Sequence, residues 1–82
     1  MSLEKLNQAK EKVVGVKETL RAIDEGEAKT IYIAKDADEN IVKPLKLKCE
    51  EKQIDIVQVT SMKELGEAAG IEVKATSACI RD

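Results

Sequence analysis

The chain has 82 residues, 37% of them charged and 43% hydrophobic, with a formal net charge of −2. Tyr32 is its one aromatic residue, and it contains no His, Phe or Trp. That composition excludes a Ser-His-Asp or Cys-His catalytic arrangement and a His-bearing zinc site. It also excludes the aromatic platforms on which single-stranded nucleic acids stack. The length fits one domain, residues 1–82, with a small core. Cys49 and Cys79 form no C-x-x-C pair and are too few for a disulfide framework. No apolar run approaches the roughly 18 residues of a membrane span, and no secretory apolar segment is present, so the expectation is a soluble, cytoplasmic protein with no membrane partner.

Residues 3–12 place Leu3, Leu6 and Ala9 or Lys10 at helical spacing and predict a short amphipathic helix. Val13-Val14 reads as a brief strand ended by Gly15. Val16, Leu20 and Ile23 then follow i, i+4, i+7, predicting a helix over 16–25 with that stripe inward and Gly26 as its stop. Thr30-Ile31-Tyr32-Ile33-Ala34 is apolar on both alternating faces, the pattern of a strand covered on both sides. The acidic run Asp36-Ala37-Asp38-Glu39 suits a turn and a helix N-terminus. Pro44 suits the first turn of a helix reaching about Gln53, after a preliminary turn at 40–43, with Val42, Leu45 and Cys49 inward.

Residues 54–59 predict a second two-sided strand. Ser61-Met62-Lys63-Glu64 is a capping box, in which the Ser61 hydroxyl accepts from the Glu64 amide while the Glu64 side chain reaches back. The helix it opens stops at Gly70, Ile71-Glu72-Val73 forms a short loop, and residues 75–80 form the last strand. An alternating α-β-α-β-α-β-α-β order predicts an α/β protein with a mostly parallel or mixed sheet between helices.

Little in the chain points to catalysis. Cys49 and Cys79 sit on apolar patterns and read as small buried hydrophobes without a basic neighbour to activate them. Asp36, Asp38 and Glu39 lack the Gly and downstream Glu of a calcium loop and read as a capped turn, so no metal is expected. Gly66 and Gly70 carry no Lys-Ser/Thr sequel, which excludes a phosphate-cradling glycine loop. The expectation is a protein that is not an enzyme and holds no cofactor.

The helix at 16–25 is more informative. Lys17, Glu18 and Arg21 fan across the side opposite its apolar stripe. One reading is an ordinary solvated face with a Glu18–Arg21 pair worth a few tenths of a kcal/mol. The other is a docking edge, where Lys17 and Arg21 donate to guanine edges or phosphates and Glu18 accepts from exocyclic amines. Ile71 and Val73, apolar residues flanking a charge in a connection, either fold back onto the core or meet a partner.

Two stretches together carry a resemblance. Gly15-Val16-Lys17-Glu18-Thr19-Leu20-Arg21-Ala22-Ile23 resembles the glycine-led, polar-faced helix of the L7Ae/L30e ribosomal protein family. Residues 61–73, SMKELGEAAGIEV, resemble its second hallmark, a capped helix with LGEAAG followed by an aliphatic loop. Ile33-Ala34-Lys35-Asp36 and Cys49-Glu50-Glu51-Lys52 match in kind and spacing, so the likeness covers nearly the whole chain. The shortness of the chain and Lys17 make it most similar to the small bacterial YbxF-type members.

The resemblance implies a three-layer α/β/α sandwich around a four-stranded mixed sheet. It also implies non-enzymatic binding of kink-turn RNA, a helix–bulge–helix with tandem G·A pairs and a sharp bend. Carried over residue by residue, Gly15 leads the helix, and Lys17, Glu18 and Arg21 enter the widened major groove beside the G·A pairs. Ile71, Glu72 and Val73 match the loop that covers the extruded bulge nucleotides, and Lys35 reaches a phosphate. Structured RNA and the ribosome are the implied partners, and the implied state is a monomer.

The chain departs from the archaeal pattern at Lys17, where that pattern has Asn. Asn both donates and accepts, whereas Lys only donates, so the balance between base readout and phosphate attraction changes. Arg21 stands where the family has Lys, replacing a point donor with a planar fork. These departures leave one alternative: a ribosome-structural or protein–protein module that keeps the fold without specific kink-turn recognition.

Overall fold

The computed structural model describes residues 2–81, and the elements alternate in it as the sequence predicts. They are α1 (Ser2–Gln8), β1 (Lys12–Val14), α2 (Val16–Asp24), β2 (Ala28–Ala34), α3 (Glu39–Lys52), β3 (Ile56–Val59), α4 (Met62–Ala69) and β4 (Ser77–Arg81). The four strands form one sheet in the order β1-β4-β2-β3. β2 and β3 run parallel, while β4 is antiparallel to both of its neighbours, β1 and β2.

Strand side chains alternate between the two faces, and both faces are apolar here. Ile31, Ile33 and Cys79 point to one face and pack with Ala22 and Ile23 of α2 and Val42, Leu45 and Cys49 of α3. Tyr32, Ala34, Val59 and Ala78 point to the other and pack with Leu6 of α1 and Leu65, Ala68 and Ala69 of α4. Two helices therefore cover each side of the sheet, giving the three-layer sandwich. Burying one such aliphatic side chain is worth about 1.5–3 kcal/mol, several times an exposed ion pair, so these two clusters decide the fold.

The element boundaries differ from expectation in places with identifiable causes. The apolar spacing predicts a first helix reaching residue 12, but α1 ends at Gln8, because the Lys12 ammonium caps its last carbonyls, lying 3.0 Å from Asn7 O and 3.4 Å from Leu6 O. Lys12 itself pairs with Ile80 in the sheet. Pro44 lies inside α3 instead of in its first turn. Asp38 starts that helix earlier by accepting the Asn40 amide at 2.9 Å, and the carbonyl that Pro44 leaves without an amide partner belongs to exposed Asn40, where the loss costs little.

The inward seam of α2 is also shifted. Ile23 is buried as expected, but Val16 and Leu20 are only half-buried, and the deepest positions are Thr19 and Ala22. Small residues at these positions let α2 lie close on the sheet. β3 is shorter than expected, beginning at Ile56, and β4 is displaced to Ser77–Arg81.

Strand direction decides which loops become neighbours. The C-terminal ends of β1, β2 and β3 and the N-terminal end of β4 all lie at one end of the sheet. The start of α2, the turn after β2, the start of α4 and the segment leading into β4 are gathered there by topology alone.

Candidate functional site

Gly15 makes the entry to α2 abrupt. It is the N-cap residue, with φ 99° and ψ 155°, a backbone region open essentially to glycine. Its amide donates to Ser77 O at 2.8 Å and its carbonyl accepts from Thr19 N at 3.0 Å, so a single residue joins the sheet to the helix. Lys17, Glu18 and Arg21 are all exposed on the first turns of α2. Arg21 and Glu18 stand 3.8 Å apart with side chains 69% and 54% exposed, a contact too weak and too wet to lock either in place. Lys17 has no ion-pair partner among the described residues.

Helices α2, α3 and α4 all begin at this end, each with its partial positive charge facing the same side. Asp38 caps α3, and Ser61 caps α4 by accepting the Glu64 amide at 3.1 Å. No side chain caps α2. Its first amides stay available beside Lys17.

The acidic run after β2 is fully engaged. Asp36 accepts the Met62 amide at 2.8 Å, Asp38 caps α3, and Glu39 pairs with Lys46 at 3.0 Å. These carboxylates are turned onto three different groups, and among the described residues no set of three His, Cys, Asp or Glu side chains converges on a metal position. Lys35 is exposed on the same turn, its backbone held by an amide bond to Val59 O at 2.8 Å.

The 71–73 loop divides between packing inward and facing out. Ile71 packs against the α1/α4 core, whereas Glu72 is exposed and Val73 is 70% exposed. The loop is tied along α4: Ile71 N donates to Gly66 O at 3.1 Å and Ala75 N to Met62 O at 3.0 Å. Gly66 lets it approach, since a Cβ there would stand 2.1 Å from Val73 O.

The structure thus brings Gly15, the start of α2 with Lys17 and Glu18, and the Lys35 turn to one end of the sheet, with Arg21 a turn further along α2 and the 71–73 loop running back along α4 toward that end. Three further contributors escape a reading of the sequence. Gly66 is visible there as part of LGEAAG without its steric role, and Thr19 is hidden by the aliphatic stripe beside it. Asp36 acts on a helix 26 positions away, for which no local signal exists.

Cys49 of α3 and Cys79 of β4 share the core cluster that α2 packs into, both fully buried and free. Burial pushes the Cys79 thiol up to about 11, partly offset by the neighbouring Thr19 hydroxyl, and burial raises Cys49 as well. Such thiols stay protonated and are poor nucleophiles. No helix among the described residues is long and apolar enough to cross a membrane.

Over residues 1–82 the sequence matches the Ribosomal protein L7Ae/L30e/S12e/Gadd45 family. The chain belongs to this family. A protein of Caldanaerobacter subterraneus subsp. tengcongensis, named an RNA-binding protein, is 51% identical over 67 residues, 82% of each chain. The RNA-binding protein YbxF of Geobacillus stearothermophilus is 41% identical over 80 residues, 98% of each chain, in line with the YbxF-type resemblance. Among solved structures, a Giardia lamblia 15.5kD RNA binding protein superposes with a TM-score of 0.84 at 36% identity. That match covers 99% of this chain and 73% of the Giardia one. These relatives are named as binding proteins and not as enzymes, in agreement with the expected non-enzymatic role.

Proposed function

We propose that this L7Ae-family chain binds RNA and recognises kink-turns, holding them in their bent form, in the cytoplasm and in association with the ribosome, as a monomer. The observation that carries the reading is the presence of two unlike exposed surfaces, one on α2 and one on the loop that leads back along α4 to β4. One is the uncapped polar edge of α2 with Lys17, Glu18 and Arg21; the other is the aliphatic side chain of Val73, held 70% exposed. A bent helix–bulge–helix offers a complement to both: a groove of base edges and phosphates, and an unstacked base with an apolar face. The names of the relatives support the RNA half of this reading.

In this assignment Lys17 and Arg21 donate to base edges and phosphates, and Glu18 accepts from exocyclic amines. Lys35 meets a phosphate, and Ile71, Glu72 and Val73 cover the extruded nucleotides. The net charge of −2 is compatible with a polyanionic partner, because several acids are engaged elsewhere: Asp24 on Lys48, Glu25 on Arg81, Glu39 on Lys46, and Asp36 and Asp38 on helix ends. The protein would shift the RNA from extended to bent only through its differential affinity for the two forms.

A FRET titration with a standard kink-turn and a control carrying C·G in place of the G·A pairs tests this. Tight binding with bending of the first RNA alone is the expected result. Equal affinity for both, or none for either, would sink the proposal and leave the alternative of a structural module without kink-turn recognition.

A further inference from the structure

Three hydrogen bonds meet around Met62, the first residue of α4. Its amide donates to Asp36 Oδ1 at 2.8 Å, and its carbonyl accepts from the Ala75 amide at 3.0 Å. One residue further back, Ser61 closes the same turn by accepting from Glu64. Because Ser61 already caps this helix, the Asp36 carboxylate is a second cap, delivered by a different element. Its delivery is rigid: Lys35 N is bonded to Val59 O at 2.8 Å and Ala37 N to Ala34 O at 3.2 Å, which fixes the backbone on both sides of Asp36.

We infer that Asp36 is a positioning residue for the RNA-binding end, linking the Lys35 turn through Met62 to the loop that presents Val73. The inference rests on the proposed function for the role of that loop. The chain of contacts is continuous. Asp36 holds the Met62 amide, the Met62 carbonyl holds Ala75, and Val73 lies two residues before Ala75 with its carbonyl seated over Gly66. Each partner is backbone except Asp36, so Asp36 is the one side chain in this link, adding to the Lys35–Val59 backbone bond. A carboxylate beside Lys35 also opposes attraction of a polyanion. Charge and positioning therefore act in opposite directions on affinity, and substitution separates them.

Amide hydrogen exchange and RNA titration on D36A and D36N test the inference in the full chain. In D36A the Met62 and Ala75 amides should both exchange roughly tenfold faster. Binding of kink-turn RNA should weaken roughly five- to twentyfold, and this loss should shrink about threefold in a V73A background while staying whole in an E18A background. D36N keeps the acceptor oxygen and loses the charge, so it should bind at least as tightly as the parent.

A D36A protein that binds like the parent, a D36N protein as weak as D36A, or equal losses in both backgrounds overturns the inference and leaves Asp36 as a cap on α4 alone. Should D36A fail to fold, D36S, whose oxygen falls short of Met62, takes its place with the same outcomes. A parent protein that does not prefer the kink-turn over the control refutes the proposed function separately. Ala75 exchange then decides the link, and unchanged protection in D36A overturns it.

Discussion

Gly66 and Val73 meet backbone to backbone: a Cβ on Gly66 would stand 2.1 Å from the Val73 carbonyl oxygen and 3.1 Å from the carbonyl carbon. The loop uses the space that a side chain on α4 would fill. A G66A substitution must therefore move the 71–74 backbone, and backbone yields less readily than a side-chain tip. We expect a loss of about 1–3 kcal/mol in urea unfolding, typical of overpacking. RNA affinity should fall further than stability does, because the displaced segment carries Val73. A G66A protein with parental stability and affinity would show that the loop is not held against α4.

On the α2 edge the expectation is reversed, with binding lost and stability kept. Glu18 and Arg21 are more than half exposed, and their 3.8 Å contact contributes little to folding. E18A and R21A should each leave the unfolding midpoint close to that of the parent, within about 0.5 kcal/mol. Each should weaken kink-turn binding by about 1–3 kcal/mol if it reads a base edge. Measured on the C·G control RNA, both losses should shrink. Unaltered affinity in both variants would refute the groove assignment.

The capping of α4 gives a purely structural check. Ser61 Oγ accepts the Glu64 amide, and among the described residues no other side chain supplies that bond. S61A should cost about 1 kcal/mol, within the usual range of roughly 0.5–2 kcal/mol for an N-cap. S61T, which restores the hydroxyl, should recover most of it. Chemical denaturation of the three proteins settles the point, and equal stability of S61A and the parent would mean that Asp36 suffices as a cap.

What is legible in the sequence is what depends on local pattern. The two-sided apolar strands at 30–34 and 54–59 announce a layered sandwich, because a strand with apolar residues on both faces needs cover on both. Ser61 and Glu64 announce α4 by the chemistry of the cap itself. Pro44 misleads because its missing amide is costly only where the orphaned carbonyl is buried, and exposed Asn40 makes it tolerable in the interior of α3. Thr19 escapes notice because a β-branched polar residue does not look like core, yet it is the most buried position of α2. The candidate residues on α2 and at 71–73 are legible as a resemblance, while the strand directions that gather the start of α2, the turn after β2 and the start of α4 at one end are encoded by no single segment. The Asp36–Met62 bond and the Gly66–Val73 approach are tertiary and lie out of reach of any local pattern.

The Cys79 thiol predicts a loss of stability in alkali with a defined window. Its ordinary value is 9.0, and burial in the fold raises it to about 11. Between those values the unfolded chain has released the proton that the native chain still holds, so unfolding is favoured as pH rises. The thiol's contribution is fully present below about pH 9 and is lost progressively as pH climbs through about 11, by roughly 2–3 kcal/mol at most. Lys48, raised chiefly by its hydrogen bond to Asp24, changes stability in the same direction but is exposed and contributes to parent and variant alike. C79A should be less stable than the parent at about pH 8, because it leaves a small cavity under α2. The gap should narrow or reverse by about pH 10.5, since the variant has no thiol to ionise there. Urea unfolding of both proteins at about pH 8, 9.5 and 10.5 measures it. Parallel curves at all three would mean that the Cys79 proton is not what the alkaline limb reports.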